Sequence, residues 1–271
     1  NKYKTFVPNI TMVKLTADGK IIQCKGTSFI SGTINNSFKV MNEFHSDIKT
    51  INTQNINTNN KSSHISRPNF YFATSVAVAK KDITKIKKAQ NIKGKVLVKK
   101  EQASIKQLLI GNTENPKYII FSHYDSIDTG ALDNASGVAV SLFLISKHED
   151  ILKDSLFVMD GNEELSYDYP IYWGHGYRVF EQKYKKILTN CKKIIIVDCV
   201  GNGKTQVTSN KKILKSAFPI QSINEIIHKT CTLHGNINKL FSIYHSERDT
   251  VEKLKESYLQ DAVKTLIKLI K

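Results

Sequence analysis

Ionisable residues crowd the ends of successive apolar runs in the second half of the chain. Tyr118-Ile-Ile-Phe-Ser122 leads into His123-Tyr-Asp125, and ten residues past that histidine comes Gly130-Ala-Leu-Asp133-Asn134-Ala-Ser-Gly137. Ser155-Leu-Phe-Val-Met159 leads into Asp160-Gly-Asn-Glu163-Glu164, Lys193-Ile-Ile-Ile-Val197 into Asp198, and Asn238 to Tyr244 into His245-Ser-Glu-Arg-Asp249-Thr250. One such residue at a strand end is ordinarily a cap or a turn former; four groups at equivalent ends are a different matter. Carboxylates drawn into one cleft repel each other and take up protons unless cations lie between them. A set of two histidines and three carboxylates with no thiolate suits zinc, with cobalt or manganese as replacements, and not a cysteine-rich structural site. Two divalent ions roughly 3.5–4 Å apart form a clamp for hydrolysis.

The elements that must position these groups alternate. Strands are expected at 118–122, 155–159, 193–197 and 238–244. Helices are expected at 134–148, 176–187, 219–233 (with Pro219 in its first turn) and 251–270. Apolar strands alternating with helices imply a mostly parallel sheet covered on both faces, with ligand chemistry where strands end and loops begin. The first hundred residues read instead as short strands (11–15, 20–24, 37–41, 71–78 and 94–99) with a helix at 83–90. Between them the polar run 51–63 reads as an exposed, mobile loop within 48–66, and His45 and His64 read as solvent-exposed.

In order and spacing, His123-x-Asp125, Asp133-Asn-x-Ser-Gly137, Glu163-Glu164, Asp198 and Tyr244-His245 with Asp249-Thr250 resemble the co-catalytic two-zinc metallopeptidase family 28, which includes aminopeptidases and glutamate carboxypeptidase II. The resemblance covers about Tyr118 to Thr250. It implies an α/β, three-layer zinc-exopeptidase fold with a mostly parallel mixed central sheet, occupying 106–271. Residues 1–105 then form a smaller β-rich, protease-associated-like N-terminal domain. Carried over residue by residue, Asp133 bridges two zinc ions, His123 and Asp198 complete one position, and Glu164 and His245 complete the other. Glu163 is the general base, and Asp125 accepts the second ring proton of His123 and fixes its tautomer. The Asp133–Asn134 peptide is expected to be cis, and Gly137 to let the next helix pack tightly on the sheet. The expected activity is removal of N-terminal residues from peptides. Carboxypeptidase cleavage, glutaminyl-cyclase-like transfer on the same site, and a non-catalytic receptor-like module stay open as alternatives. The chain departs from the family after its Glu-Glu pair: Leu165 to Gly176 carries Tyr167, Tyr169, Tyr172, Trp173 and His175, an aromatic segment that either borders the substrate cleft or forms a surface loop.

Composition narrows the partners. Forty Lys and Arg against 24 Asp and Glu leave a formal charge of +16. The lysines are spread along the whole chain without an aromatic-interleaved basic motif, so a solvated surface is favoured over nucleic-acid binding. No apolar run approaches the roughly 18 residues of a membrane span. A peptide is the expected partner, and self-association stays open. The four cysteines show no paired spacing, and Cys191 and Cys199 read as buried thiols. The chain begins at Asn1, which leaves room for an upstream segment; a cytoplasmic setting is slightly favoured over a secreted one.

Overall fold

The computed structural model describes residues 1–42, 53–168 and 170–271. The N-terminal part is built of β1 (Lys2–Ala17), β2 (Lys20–Ile21), β3 (Cys24–Gly26), β4 (Gly32–Ile34), β5 (Lys39–Met41), β6 (Asn55–Asn57), β7 (Ser75–Val78), α1 (Ile83–Lys88) and β8 (Ile92–Lys106). Two four-stranded sheets result, in the orders β2-β1-β8-β4 and β3-β7-β6-β5. β1 and β8 pair antiparallel over almost their whole length, with one register shift between Ile10 and Met12. Leu15, Ile34, Ile56, Val76 and Val96 from both sheets share one buried core.

The rest of the chain holds β9 (Leu108–Gly111), β10 (Tyr118–His123), α2 (Ser136–Lys147), β11 (Ser155–Asp160), α3 (His175–Asn190), β12 (Lys193–Val197), β13 (Gln206–Thr208), α4 (Lys211–Ala217), α5 (Ile223–Ile226), β14 (Thr230–His234), α6 (Ile237–Ile243) and α7 (Glu256–Ile270). They form a six-stranded sheet of order β13-β14-β12-β10-β11-β9. Its four central strands are parallel and its two edges antiparallel. Side chains alternate across a strand, so Ile120, Phe157, Ile195 and Leu233 pack on one face against α2 and α7. Ile119, Phe121, Val158 and Ile194 pack on the other face against α3, Phe218 and α5. This is the three-layer α/β arrangement with a mostly parallel mixed sheet.

Three expectations fail. The helix expected over 219–233 is only α5 and a 3-10 turn, and Thr230–His234 is a strand. The β-branched Thr230 and Thr232 suit extended backbone, and Cys231 and Leu233 fill the sheet's core in parallel register with β12. The strand expected over 238–244 is helix α6, capped by the Asn236 side chain, which accepts from Lys239 N. Ile237, Leu240, Phe241 and Tyr244 recur at helical spacing and all line one cavity. The polar loop over 51–63 is instead partly a buried strand: Asn55, Asn57 and Asn59 are at most 1% exposed. Burial is tolerable because each amide nitrogen is bonded, although the Asn57 Oδ1 has no partner. The Asn57 Nδ2 donates to Thr27 Oγ1 at 2.7 Å and to Ser75 Oγ at 3.0 Å. His64 is exposed as expected; His45, Tyr169 and residues 48–52 of the expected loop lie outside the described residues.

Candidate active site

Parallel pairing places His123 at the end of β10 beside Asp160 at the end of β11, while β12 ends at Val197 and delivers Asp198 just beyond. The apolar register beneath these residues therefore sets their positions. Asp133 reaches the same place from the loop before α2, Glu164 from the turn after β11, and His245 from the turn after α6. The His123 Nε2 lies 3.2 Å from Asp133 Oδ1 and 3.5 Å from Asp198 Oδ1. On the far side, His245 Nε2 lies 3.4 Å from Asp133 Oδ2 and 3.1 Å from Glu164 Oε2. Two triads thus meet at Asp133, one oxygen toward each, and within each triad the potential donor atoms lie within 4.8 Å of one another.

Local structure holds Asp133 in place. The Asp133–Asn134 peptide is cis. The Asn134 amide donates to Val197 O at 2.9 Å and accepts from Gly137 N and Cys199 N at 3.0 and 3.2 Å, tying the loop to the end of β12. Gly137 permits this approach, because a Cβ there would stand 2.4 Å from Val197 O and 2.5 Å from Asn134 Oδ1. Asp249, 1% exposed, accepts the backbone N–H of Leu132 at 2.7 Å and of Asp133 at 3.0 Å.

The histidines are oriented differently from each other. The His123 Nδ1 is 3.1 Å from the main-chain oxygen of Asp125 and 3.5 Å from its carboxylate. That carboxylate instead accepts the backbone N–H groups of Glu163 and Glu164 at 3.1 and 2.9 Å, fixing the Glu-Glu turn. Support for the His123 ring thus comes chiefly from the carbonyl of Asp125, and its side chain does a second job. The His245 Nδ1 is 3.0 Å from the carbonyl oxygen of Arg67, from the N-terminal part of the chain. Arg67 left no trace in the sequence, since a backbone carbonyl has no side-chain signature. Asp249 stood inside the quoted motif, although its acceptor role depends on the fold.

The charges require compensation. Burial raises the Glu163 carboxyl well above the usual range and carries Glu164 to about 7. Burial opposes charging of the histidines, yet Glu164 and Asp133 push His245 up to about 10, and Asp125, Asp133 and Asp198 raise His123. Asp133 shows the reverse balance: burial raises it, but the facing rings of His123 and His245 hold it below the usual range. Two buried donor atoms, Glu164 Oε1 and His245 Nε2, have no hydrogen-bond partner. Orphaned donors of this kind, aimed into a cluster of three carboxylates, fit divalent cations.

Beside the cluster opens a cavity of about 530 Å³, reached by Glu163 and by the donors Asp133, Glu164, Asp198 and His245. Its far wall is largely apolar, from Tyr172, Trp173, Ile213, Leu240 and Phe241. The aromatic segment after Glu164 therefore borders the cleft. Tyr172 is buried and donates to Phe70 no proton but accepts its N–H at 3.1 Å, while the Trp173 indole donates to Ser216 O at 2.9 Å. Cys191 and Cys199 are buried free thiols, as expected. Among the described residues no helix is long and apolar enough to cross a membrane.

Residues 105–230 match the family model described as peptidase family M28. No curated protein matches the chain significantly in sequence. Among solved structures, the whole chain superposes on 84% of BSAP, a zinc aminopeptidase from Bacillus subtilis, with a TM-score of 0.64 and 16% identity. It likewise covers 82% of an aminopeptidase from Aneurinibacillus sp. strain AM-1, with a TM-score of 0.59 and 14% identity. A third similar structure, a putative peptidase from Clostridium acetobutylicum, is covered over 71% of its length with a TM-score of 0.60 and 13% identity.

Proposed function

We propose that the chain, whose residues 105–230 match the model of peptidase family M28, is a two-zinc aminopeptidase, residues 106–271 forming the peptidase domain and 1–105 a β-rich companion. The observation that carries this reading is the pair of donor triads sharing Asp133, with Glu163 beside them on one cavity. His123, Asp133 and Asp198 would hold one ion, and Asp133, Glu164 and His245 the other. When bound, the ions supply Lewis acidity for the scissile carbonyl and bring the pKa of water toward neutrality. Glu163 removes the proton from the attacking water and returns it to the departing amine. Burial raises its carboxyl above the ordinary range, which favours its taking up the proton of the attacking water. Asp125, through the backbone of residues 163 and 164, holds that carboxyl at the turn. The apolar wall excludes water from the bound residue and receives its side chain, so an apolar N-terminal residue is the preferred substrate. Cobalt or manganese, with similar ligand demands, would substitute for zinc.

The test is hydrolysis of amino-acyl reporters by zinc-loaded protein, next to the same peptide blocked at its amino or its carboxyl end. Cleavage should need the free amine, and Glu163→Gln should lower kcat by about 10²–10⁴-fold while leaving zinc bound. An inactive zinc-loaded parent, or a Glu163→Gln variant as fast as the parent, overturns the reading. Cleavage confined to amine-blocked peptide would make the enzyme a carboxypeptidase, and a cyclised N-terminal product a glutaminyl cyclase.

A further inference from the structure

The two histidines of the cluster draw their support from different parts of the chain. His123 is oriented within its own strand-loop, by the carbonyl of Asp125. His245 is oriented by a residue 178 positions away: its Nδ1 lies 3.0 Å from Arg67 O, and Arg67 N donates back to His245 O at 3.0 Å. In the neutral ring, Nδ1 donating to that carbonyl leaves the Nε2 lone pair facing Asp133 and Glu164, the tautomer a metal requires.

The contact is reinforced on both sides. Ser66, fully buried, donates to Tyr244 O at 2.5 Å, and the Asn59 amide donates to Phe241 O at 2.7 Å and to Ser66 Oγ at 3.0 Å. The Arg67 guanidinium reaches Asp128, with Nε 3.2 Å from Oδ2 and Nη2 3.0 Å from Oδ1. Asp128 lies in the loop between His123 and Asp133. One residue thus holds the histidine turn through its backbone and the loop leading to Asp133 through its side chain. His245 also has a φ of +48°, a conformation that a non-glycine residue keeps only when its surroundings impose it.

We infer that the segment 59–67 is a strap from the N-terminal part that sets the metal affinity of the Asp133–Glu164–His245 position, with Ser66 and Arg67 as its positioning residues. The inference rests on the two-zinc reading above. The strap makes the N-terminal part a component of the metal site. It also makes the two positions unequal: the His123 ring is oriented within residues 123–125, whereas the His245 ring depends on Arg67.

Stepwise zinc binding, read by competition with a chromophoric chelator, tests this on the whole chain. The parent should bind two ions in two resolved steps. In the Ser66→Ala, Arg67→Ala pair one step should weaken by about 10–100-fold, the range typical for residues that orient a metal ligand, and the other, which shares only Asp133 with the loop that Arg67 holds, should weaken by a clearly smaller factor. A pair in which neither step moves, or both weaken equally, overturns the inference. If the pair does not fold, Ser66→Ala alone is read in the same way, with a smaller loss expected on the same single step. A parent that binds fewer than two ions overturns the two-zinc reading itself, an outcome distinct from a two-step parent whose variants bind identically.

Discussion

Asp249 offers a direct test of how Asp133 is held. Its two carboxylate oxygens accept the backbone N–H groups of Leu132 and Asp133 at 2.7 and 3.0 Å, and all three residues are buried. Asp249→Ala would strand both donors where replacement by bulk water is poor. A buried unsatisfied donor costs about 1–3 kcal/mol, so the pair should cost roughly 2–6 kcal/mol. Urea denaturation of zinc-stripped protein measures this without the contribution of metal binding. Asp261 provides the comparison, for it accepts one backbone N–H, that of Thr205 at 2.7 Å, from a partly exposed position. Water can take over that bond, so Asp261→Ala should cost about 0.5–1.5 kcal/mol. Should Asp249→Ala lose no more stability than Asp261→Ala, the claim that buried N–H groups of the 131–133 loop depend on this carboxylate is wrong.

Other consequences can be checked in parallel. Burial raises the Asp160 carboxyl from 3.8 to about 7, so the folded protein holds a proton there that the unfolded chain has released. Its stability should fall as pH rises from about 4 to about 7 and level off above. Asp160→Asn should lack that decline, the gap between the two proteins widening by up to about 4 kcal/mol across a pH series of denaturation midpoints. Gly137→Ala would press a Cβ against Val197 O and the hydrogen-bonded Asn134 amide; a loss of about 1–3 kcal/mol in denaturation and a lowered kcat should result. Chelation should lower Tm and abolish cleavage, with zinc restoring both. Zinc at a hundred times its Kd should return roughly 2.7 kcal/mol.

What could be read in the sequence was whatever local side-chain chemistry determines. The runs 118–122, 155–159 and 193–197 are continuous apolar stretches of strand length, and they form β10, β11 and β12 because a strand covered on both faces needs no polar side. Ligand-type residues past their ends were visible for the same reason. Errors came where two local preferences competed. In 230–234 the neighbouring helical pattern masked a β-branched segment that the sheet recruits beside β12. In 238–244 the apolar run concealed the 237, 240, 241 and 244 spacing of a helix that lines the cavity. The buried asparagines of 55–59 misled through composition, since an amide is polar only until its partners, here Thr27 and Ser75, are folded around it.

The groups that complete the cluster divide along the same physical line. His123 and Asp198 stand at or just past the ends of adjacent parallel strands, so the register that buries Ile120 against Ile195 also sets their separation. Asp133, Glu164 and His245 come from turns, and sheet register does not constrain a turn. Each is secured instead by a hydrogen bond to a residue distant in sequence: the Asp249 carboxylate on the N–H of Asp133, the Asp125 carboxylate on the N–H of Glu164, and the Arg67 carbonyl on the ring of His245. A cluster of three carboxylates that repel one another cannot hold turns together unaided. These supports keep the donor atoms gathered before a cation arrives, which lowers the ordering cost that binding must meet. Weakening any one should therefore reduce metal affinity more than it disturbs the sheet, and the strand-borne pair should be the less sensitive part of the site.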